Sequence, residues 1–217
     1  MTMPKPEQLG PYTLHQPEGL FPLGSDTLAL GSFATVRPRW RVCDLGTGSG
    51  ALLLLLAGRE TSLSLTGVEL DSTAAQAAQT NLSANALDGQ VLCCDLRTVP
   101  LPPGQFDLVV SNPPYFAVHS GKSRGSARCE ETCSLDELCA AAARLVKNGG
   151  RFALCHRPER LADVLCALRA HSLEPKRLQL VSHSPAHAPC TALVEAVRQG
   201  RPGLNILANR CIHSQGE

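Results

Sequence analysis

From residue 41 onwards, short apolar runs alternate with stretches of helical spacing. The apolar runs predict strands over 41–45, 64–69, 90–95, 106–111, 151–155, 178–182 and 191–198. Between them the spacing predicts helices over 50–59, 73–85, 134–147 and 158–171. The third helix opens on a capping box, Ser134 with Glu137, and is expected to stop at Gly149 and Gly150. The first 20 residues are rich in proline and polar groups and read as irregular. Ser25 and Asp26 then look like the cap of a short helix. Alternating strands and helices imply an α/β fold: a mostly parallel sheet of seven strands with helices on both faces. The last two strands are joined by a loop, which predicts an antiparallel hairpin at one edge. The expected organisation is an extension over 1–35 packing near the active site, a domain over 36–200 and a tail over 201–217.

Composition supports a single full-sized core. The chain has 217 residues, of which 43% are hydrophobic and 18% charged. No apolar run is long enough to span a bilayer, and the N-terminus lacks an apolar signal core. A soluble cytoplasmic protein with no membrane partner is expected, as a monomer or weak dimer. Ten cysteines raise the question of metal. No C-x-x-C occurs, and Cys43, Cys139, Cys155 and Cys166 fall in apolar patterns. They read as buried thiols, and no metal is expected; Cys129, Cys133 and His119 form only a fragment of a site. Charge is uneven. Residues 1–140 hold 9 Lys/Arg against 14 Asp/Glu, whereas 141–217 hold 11 against 5. A basic C-terminal third can attract a polyphosphate.

In open α/β sheets ligands lie beyond the carboxyl ends of strands. Asp44, Glu69, Asp95 and Asn112 all stand at such ends. The first is followed by Gly46, Thr47, Gly48 and Gly50 in the run D-L-G-T-G-S-G. Glycines there permit a tight turn and close approach of a ligand. The pattern alone suits NAD or S-adenosylmethionine (SAM). Glu69 can accept both ribose hydroxyls of either, and Asp95 can accept from an adenine amine. Asp44 would repel a pyrophosphate but suits the ammonium of a methionyl group, which favours SAM. Leu70 and Leu96 flank these carboxylates and join them as candidate cofactor contacts, as does Asn112. Asp71 reads better as a helix cap.

Asn112, Pro113, Pro114 and Tyr115 spell N-P-P-Y after an apolar strand. A planar exocyclic nitrogen is a poor nucleophile because its lone pair is conjugated. Two acceptors, the Asn112 side-chain oxygen and the Pro113 carbonyl, can hold its two N–H groups and turn the lone pair towards a methyl donor. The prolines fix the backbone. Tyr115 and Phe116 offer rings for stacking a flat acceptor. Catalysis of this kind is positioning and electrostatics. The loop that follows, H-S-G-K-S-R-G-S-A-R, holds Lys122, Arg124 and Arg128 with no acid, which suits phosphate contact.

These motifs resemble the class I SAM methyltransferases over 41–200, whose fold is Rossmann-like. Over roughly 12–205 the chain resembles the bacterial tRNA adenine-N6 methyltransferases that modify the adenine beside the anticodon of a valine tRNA. The resemblance rests on G-S-D-T-L-A-L at 24–30, the glycine run, Glu69, S-N-P-P-Y-F at 111–116, A-R-C-E at 127–130, L-V-K-N-G-G-R-F at 145–152 and H-R-P-E-R-L at 156–161. It implies that the glycine loop, Glu69 and Asp95 bind SAM, that Asn112 to Tyr115 hold the target base, and that Asp26 lies near the cofactor or the site mouth. It implies RNA, with tRNA foremost, as partner. Cys129 stands where the family usually has His. Three other acceptors fit the motif: a protein glutamine amide, a ribosomal RNA base amine and a DNA base amine. A SAM-binding subunit without turnover is the remaining alternative.

Overall fold

A computed structural model describes residues 6–113 and 133–212. Two short strands, β1 (Glu7–Leu9) and β2 (Tyr12–Leu14), come first, then α1 (Ser25–Phe33), β3 (Arg41–Leu45) and α2 (Ala51–Ala57). The chain continues through β4 (Ser64–Glu69), α3 (Ser72–Ala84), β5 (Gly89–Cys93) and β6 (Phe106–Ser111). It ends with α4 (Leu135–Leu145), β7 (Val146–His156), α5 (Leu161–Ala170), β8 (Leu173–Ser182), β9 (Thr191–Arg198), β10 (Asn205–Ile206) and β11 (Arg210–Cys211).

The main sheet has the order β10-β8-β9-β7-β6-β3-β4-β5, with β11 also on β8. Strands β3 to β7 are parallel to one another, whereas β9 runs antiparallel to both β7 and β8. Its seven long strands are those expected, including the edge hairpin. The two-residue strands β10 and β11 were not anticipated; they lie along the outer side of β8, where they cover an edge that would otherwise be unpaired. One core lies between the sheet and α1 and α2, built on Leu30, Leu53, Leu54, Leu108 and Leu193. The other lies under α4 and α5, built on Phe106, Phe152, Leu138 and Leu168. The chain turns both ways from β3, to β4 on one side and β6 on the other, so the switch-point crevice opens at the carboxyl ends of β3 and β6.

Several boundaries differ from the sequence reading. The N-terminal stretch is not wholly irregular: β1 and β2 form an antiparallel hairpin with Leu9 and Leu14 buried. It is held by two asparagines of α3 and its end. Asn85 accepts from the Thr13 N–H at 2.9 Å and Asn81 from the His15 N–H at 2.9 Å. Asn81 also donates to the Ser49 carbonyl at 2.9 Å, so one buried side chain ties hairpin, glycine loop and helix together. Helix α1 has Gly24 as its N-cap and no side-chain cap. Asp26 sits inside its first turn, where its carboxylate accepts from the Thr191 hydroxyl instead. Helix α4 has the expected capping box but ends at Leu145, before the glycine pair. Gly149 and Gly150 belong to β7. Gly149 has φ +75°, and a side chain on Gly150 would meet Val146 Cγ2 at 2.7 Å. The pair therefore permits a tight bulge at the start of β7.

Candidate active site

The glycine loop leaves β3 at Leu45 and enters α2 at Ala51. The N–H groups of Gly46 and Thr47 both donate to the Val68 carbonyl, at 2.8 and 3.0 Å, which pins the loop to the end of β4. Gly46, Gly48 and Gly50 have φ of +75°, +56° and +86°. A side chain on Gly46 or Gly48 would enter open space, whereas one on Gly50 would meet Ala78 Cα at 3.3 Å. The first two glycines thus keep an open cradle, and the third lets α2 and α3 pack closely.

Glu69 closes the same rim. Its Oε2 accepts from the Gly48 N–H at 2.8 Å and its Oε1 from the Asp71 N–H at 3.0 Å. These bonds fix the carboxylate against the loop and leave each oxygen lone-pair capacity for ribose hydroxyls. Leu70, beside it, is 55% exposed, an apolar surface suited to the face of a base. Asp71 caps α3, accepting from the Ala74 N–H at 2.8 Å.

Asp44 is buried under the loop. Its Oδ2 accepts from the Thr47 hydroxyl at 2.8 Å, while its Oδ1 has no partner among the described residues. Burial pushes its carboxyl up to about 7; the Thr47 hydrogen bond opposes this and the Glu69 charge adds to it. A buried acceptor without a donor is costly. A cationic or N–H-bearing ligand, such as the ammonium of a methionyl group, would satisfy it. The open cradle, the two carboxylates and exposed Leu70 together fit SAM.

Asp95 occupies the third strand end, but Arg97 holds it. The guanidinium contacts both carboxylate oxygens, and the Arg97 N–H adds a bond at 2.9 Å to Oδ1. Arg97 thereby keeps the Asp95 carboxyl below the usual range and also pairs with Glu137 at 3.2 Å. Leu96 packs at the margin of the α4–α5 core.

Asn112 follows β6 directly. Its Nδ2 donates to the Thr27 hydroxyl oxygen at 2.8 Å, and its Oδ1 faces the Cys155 thiol at 3.0 Å. Ser111 just before it donates to the Leu45 carbonyl at 2.7 Å, locking the end of β6 to the end of β3. The candidate acceptor residue and the candidate cofactor loop therefore share one rim, and the first turn of α1, with Asp26 and Thr27, covers it. Thr27, Cys155 and Arg97 escaped the sequence reading. Thr27 reaches Asn112 across 85 positions, a pairing no local pattern encodes. Cys155 read as a packing thiol, and it is indeed buried, as are Cys43 and Cys139, whereas Cys166 is exposed on α5. For Arg97 the signal was its place two residues after Asp95. Pro114, Tyr115, Phe116, Lys122, Arg124 and Arg128 lie outside the described residues, as do His119 and Cys129. Among the described residues no three His, Cys, Asp or Glu side chains gather as metal ligands, and no helix is long and apolar enough to cross a membrane.

Sheet order, glycine cradle and carboxylate rim define a class I SAM-dependent methyltransferase, with SAM as methyl donor. Residues 23–166 match the methyltransferase small domain family, and the chain belongs to it. The chain is 33% identical to the tRNA1(Val) (adenine(37)-N6)-methyltransferase of Porphyromonas gingivalis, over 80% of this chain and 73% of that one. With the enzyme of the same name from Parabacteroides distasonis the identity is 31%, over 87% and 81%. A solved 16S rRNA N2 methyltransferase of T. thermophilus, in complex with AdoMet and guanosine, superposes with a TM-score of 0.62 at 26% identity, over 86% of this chain and 47% of that one. A predicted O-methyltransferase from Agrobacterium tumefaciens has the same fold, with a TM-score of 0.70 at 24% identity over 88% and 89%.

Proposed function

We propose that this methyltransferase transfers the methyl group of SAM to the exocyclic N6 amine of an adenine in RNA, with tRNA near the anticodon as the preferred substrate. The observation that carries this reading is the Asn112 carboxamide, held between Thr27 and Cys155 on the same rim as the glycine cradle. A nitrogen acceptor needs a fixed hydrogen-bond acceptor near the methyl donor, and this carboxamide supplies one. The relatives named as tRNA1(Val) (adenine(37)-N6)-methyltransferases support adenine and tRNA. The structural neighbour solved in complex with AdoMet and guanosine supports a nucleobase as acceptor.

SAM supplies an activated methyl on a sulfonium, so no covalent enzyme nucleophile is required. The chain's own groups position the partners. Glu69 orients the ribose, Asp44 the ammonium, and Leu70 and Leu96 the adenine faces, with Asp95 at the adenine edge. Asn112 Oδ1 and the Pro113 carbonyl accept the two N–H groups of the acceptor amine, which frees its lone pair for attack and lets the surplus proton pass to solvent. Tyr115 and Phe116 stack the base, and Lys122, Arg124 and Arg128 contact phosphates. A base must leave its stack to reach Asn112, and an unpaired loop base does so at least cost.

The test is transfer of labelled methyl to separated tRNA, rRNA, DNA and protein fractions, followed by nucleoside analysis. N6-methyladenosine in tRNA is expected. Label confined to protein glutamine or to a different base would refute the reading.

A further inference from the structure

Helix α1 joins two places. Its first turn touches Asn112 through Thr27. Its last turn borders a depression of 390 Å³ lined by Ser32, Thr35, Arg37, Arg59, Arg151 and Arg177, among others. Behind it lies Glu195, which is 0% exposed. Glu195 accepts from Arg151 at 2.7 Å, from Arg177 at 3.2 Å, and from the Thr35 N–H and hydroxyl at 2.7 and 2.9 Å. One arginine would neutralise this carboxylate. The depression has four.

The surplus is not used up inside the chain. Arg59 turns Nη1 to the carbonyls of Gly31 and Ala34, at 2.5 and 2.7 Å. Arg177 stacks over the Phe33 ring at 4.5 Å, and Arg37 over Trp40 at 5.7 Å. Arg59, Arg151 and Arg177 each make their hydrogen bonds through Nη1. Burial, and then the charge of Arg177, lower the pKa of Arg59. Four like charges gathered round one concave surface suit an oxyanion that accepts two hydrogen bonds at once.

The distance from Asn112 is set by two elements. From Thr27 to Phe33 the helix rises ~9 Å at its usual pitch. From Cys155, which faces Asn112, back to Arg151 the strand spans ~13 Å. Spans of this size are short enough for the backbone of an RNA whose base sits at Asn112 to bring a phosphate to the pocket. Resting on the proposed RNA substrate, we infer that the arginine pocket beside the end of α1 binds a backbone phosphate near the acceptor adenine, and so anchors the RNA at a second point. A free phosphate or pyrophosphate presents the same chemistry, and the experiment separates the two sources.

Wild type is compared with an Arg37→Gln/Arg59→Gln double variant and with Arg37→Glu alone, since Arg37 is exposed and its replacement spares the packing around α1. Four quantities are read: the Kd for a transcribed valine tRNA over a salt series, displacement of that RNA by inorganic pyrophosphate, the Kd for SAM, and transfer to free adenosine, which carries no phosphate for the pocket to hold. The double variant should bind tRNA at least tenfold more weakly at low salt, and Arg37→Glu about threefold more weakly. The salt slope should fall by about 0.7–0.9 for a lost phosphate contact. SAM affinity and transfer to adenosine should not change, and pyrophosphate should compete only against wild type. Unchanged tRNA affinity and slope in both variants, with wild type still methylating tRNA, would overturn this inference alone. Loss of pyrophosphate binding with tRNA affinity intact would make the pocket a free-anion site and also overturn it. A wild type that neither binds nor methylates RNA overturns the proposed function and this inference with it.

Discussion

The protonation state of Asp44 offers the sharpest test of the cofactor site. Its folded pKa is raised from 3.8 to about 7 because it is buried; the Thr47 hydrogen bond opposes the shift and the nearby Glu69 charge adds to it. A carboxyl raised on folding contributes its full stability below pH 4 and loses it as pH rises through 7. In unliganded protein the loss is on the order of 4 kcal/mol by pH 8, taken from the difference between the two pKa values. SAM binding should reverse the preference, because its ammonium needs the ionised form. The ligand's own amine, with an ordinary pKa of about 7.7–8.0, limits binding on the alkaline side. With Asp44 at about 7, the product of the two charged fractions makes affinity roughly fivefold lower at pH 6 than at pH 7.5. Calorimetric titration with SAM across pH 5.5–9 should therefore give a bell-shaped profile. In Asp44→Asn the acid limb should vanish and affinity should be low throughout, while the melting temperature of the unliganded protein at pH 7.5 should rise. Opposite signs in binding and stability distinguish a ligand-directed carboxylate from a structural one. A flat wild-type profile between pH 6 and 7.5, or an acid limb that persists in Asp44→Asn, would refute the reasoning.

Other outcomes follow from the same geometry. Glu69→Ala removes the two charge-assisted ribose contacts proposed for it and the brace on the Gly48 N–H, so SAM affinity should fall about 100-fold or more by calorimetry. Asn112→Ala should leave SAM affinity within about twofold and lower the methyl-transfer rate by at least ~100-fold, because its proposed role is to hold the acceptor amine. Glu195→Leu should lower the free energy of unfolding in urea by about 3 kcal/mol, since it strands Arg151 and Arg177 beside the core; Glu195→Gln should cost less. Gly50→Val should destabilise by about 2 kcal/mol in the same assay, because φ is +86° and the new side chain would press on Ala78.

The chain's periodicity determined most of the fold. Seven strands and their helices were legible because a buried parallel strand must be apolar throughout and a capped helix must announce its ends nearby. Ser134 with Glu137 and Asp71 before α3 are local signals of this kind, and the structure has both bonds. The strand-end rule likewise placed Asp44, Glu69 and Asn112 on one side of the sheet before any geometry was known. What sequence alone left undecided depends on partners distant along the chain. The hairpin β1–β2 exists because Asn81 and Asn85, more than 60 positions later, satisfy its backbone. Asp26 looked like a cap and instead meets Thr191. Asp95 looked open and is clasped by Arg97. Glu195, in an unremarkable strand, collects two arginines and the turn after α1. Local pattern reports which groups a segment must bury; only the packed chain decides which group answers each buried charge or unpaired N–H.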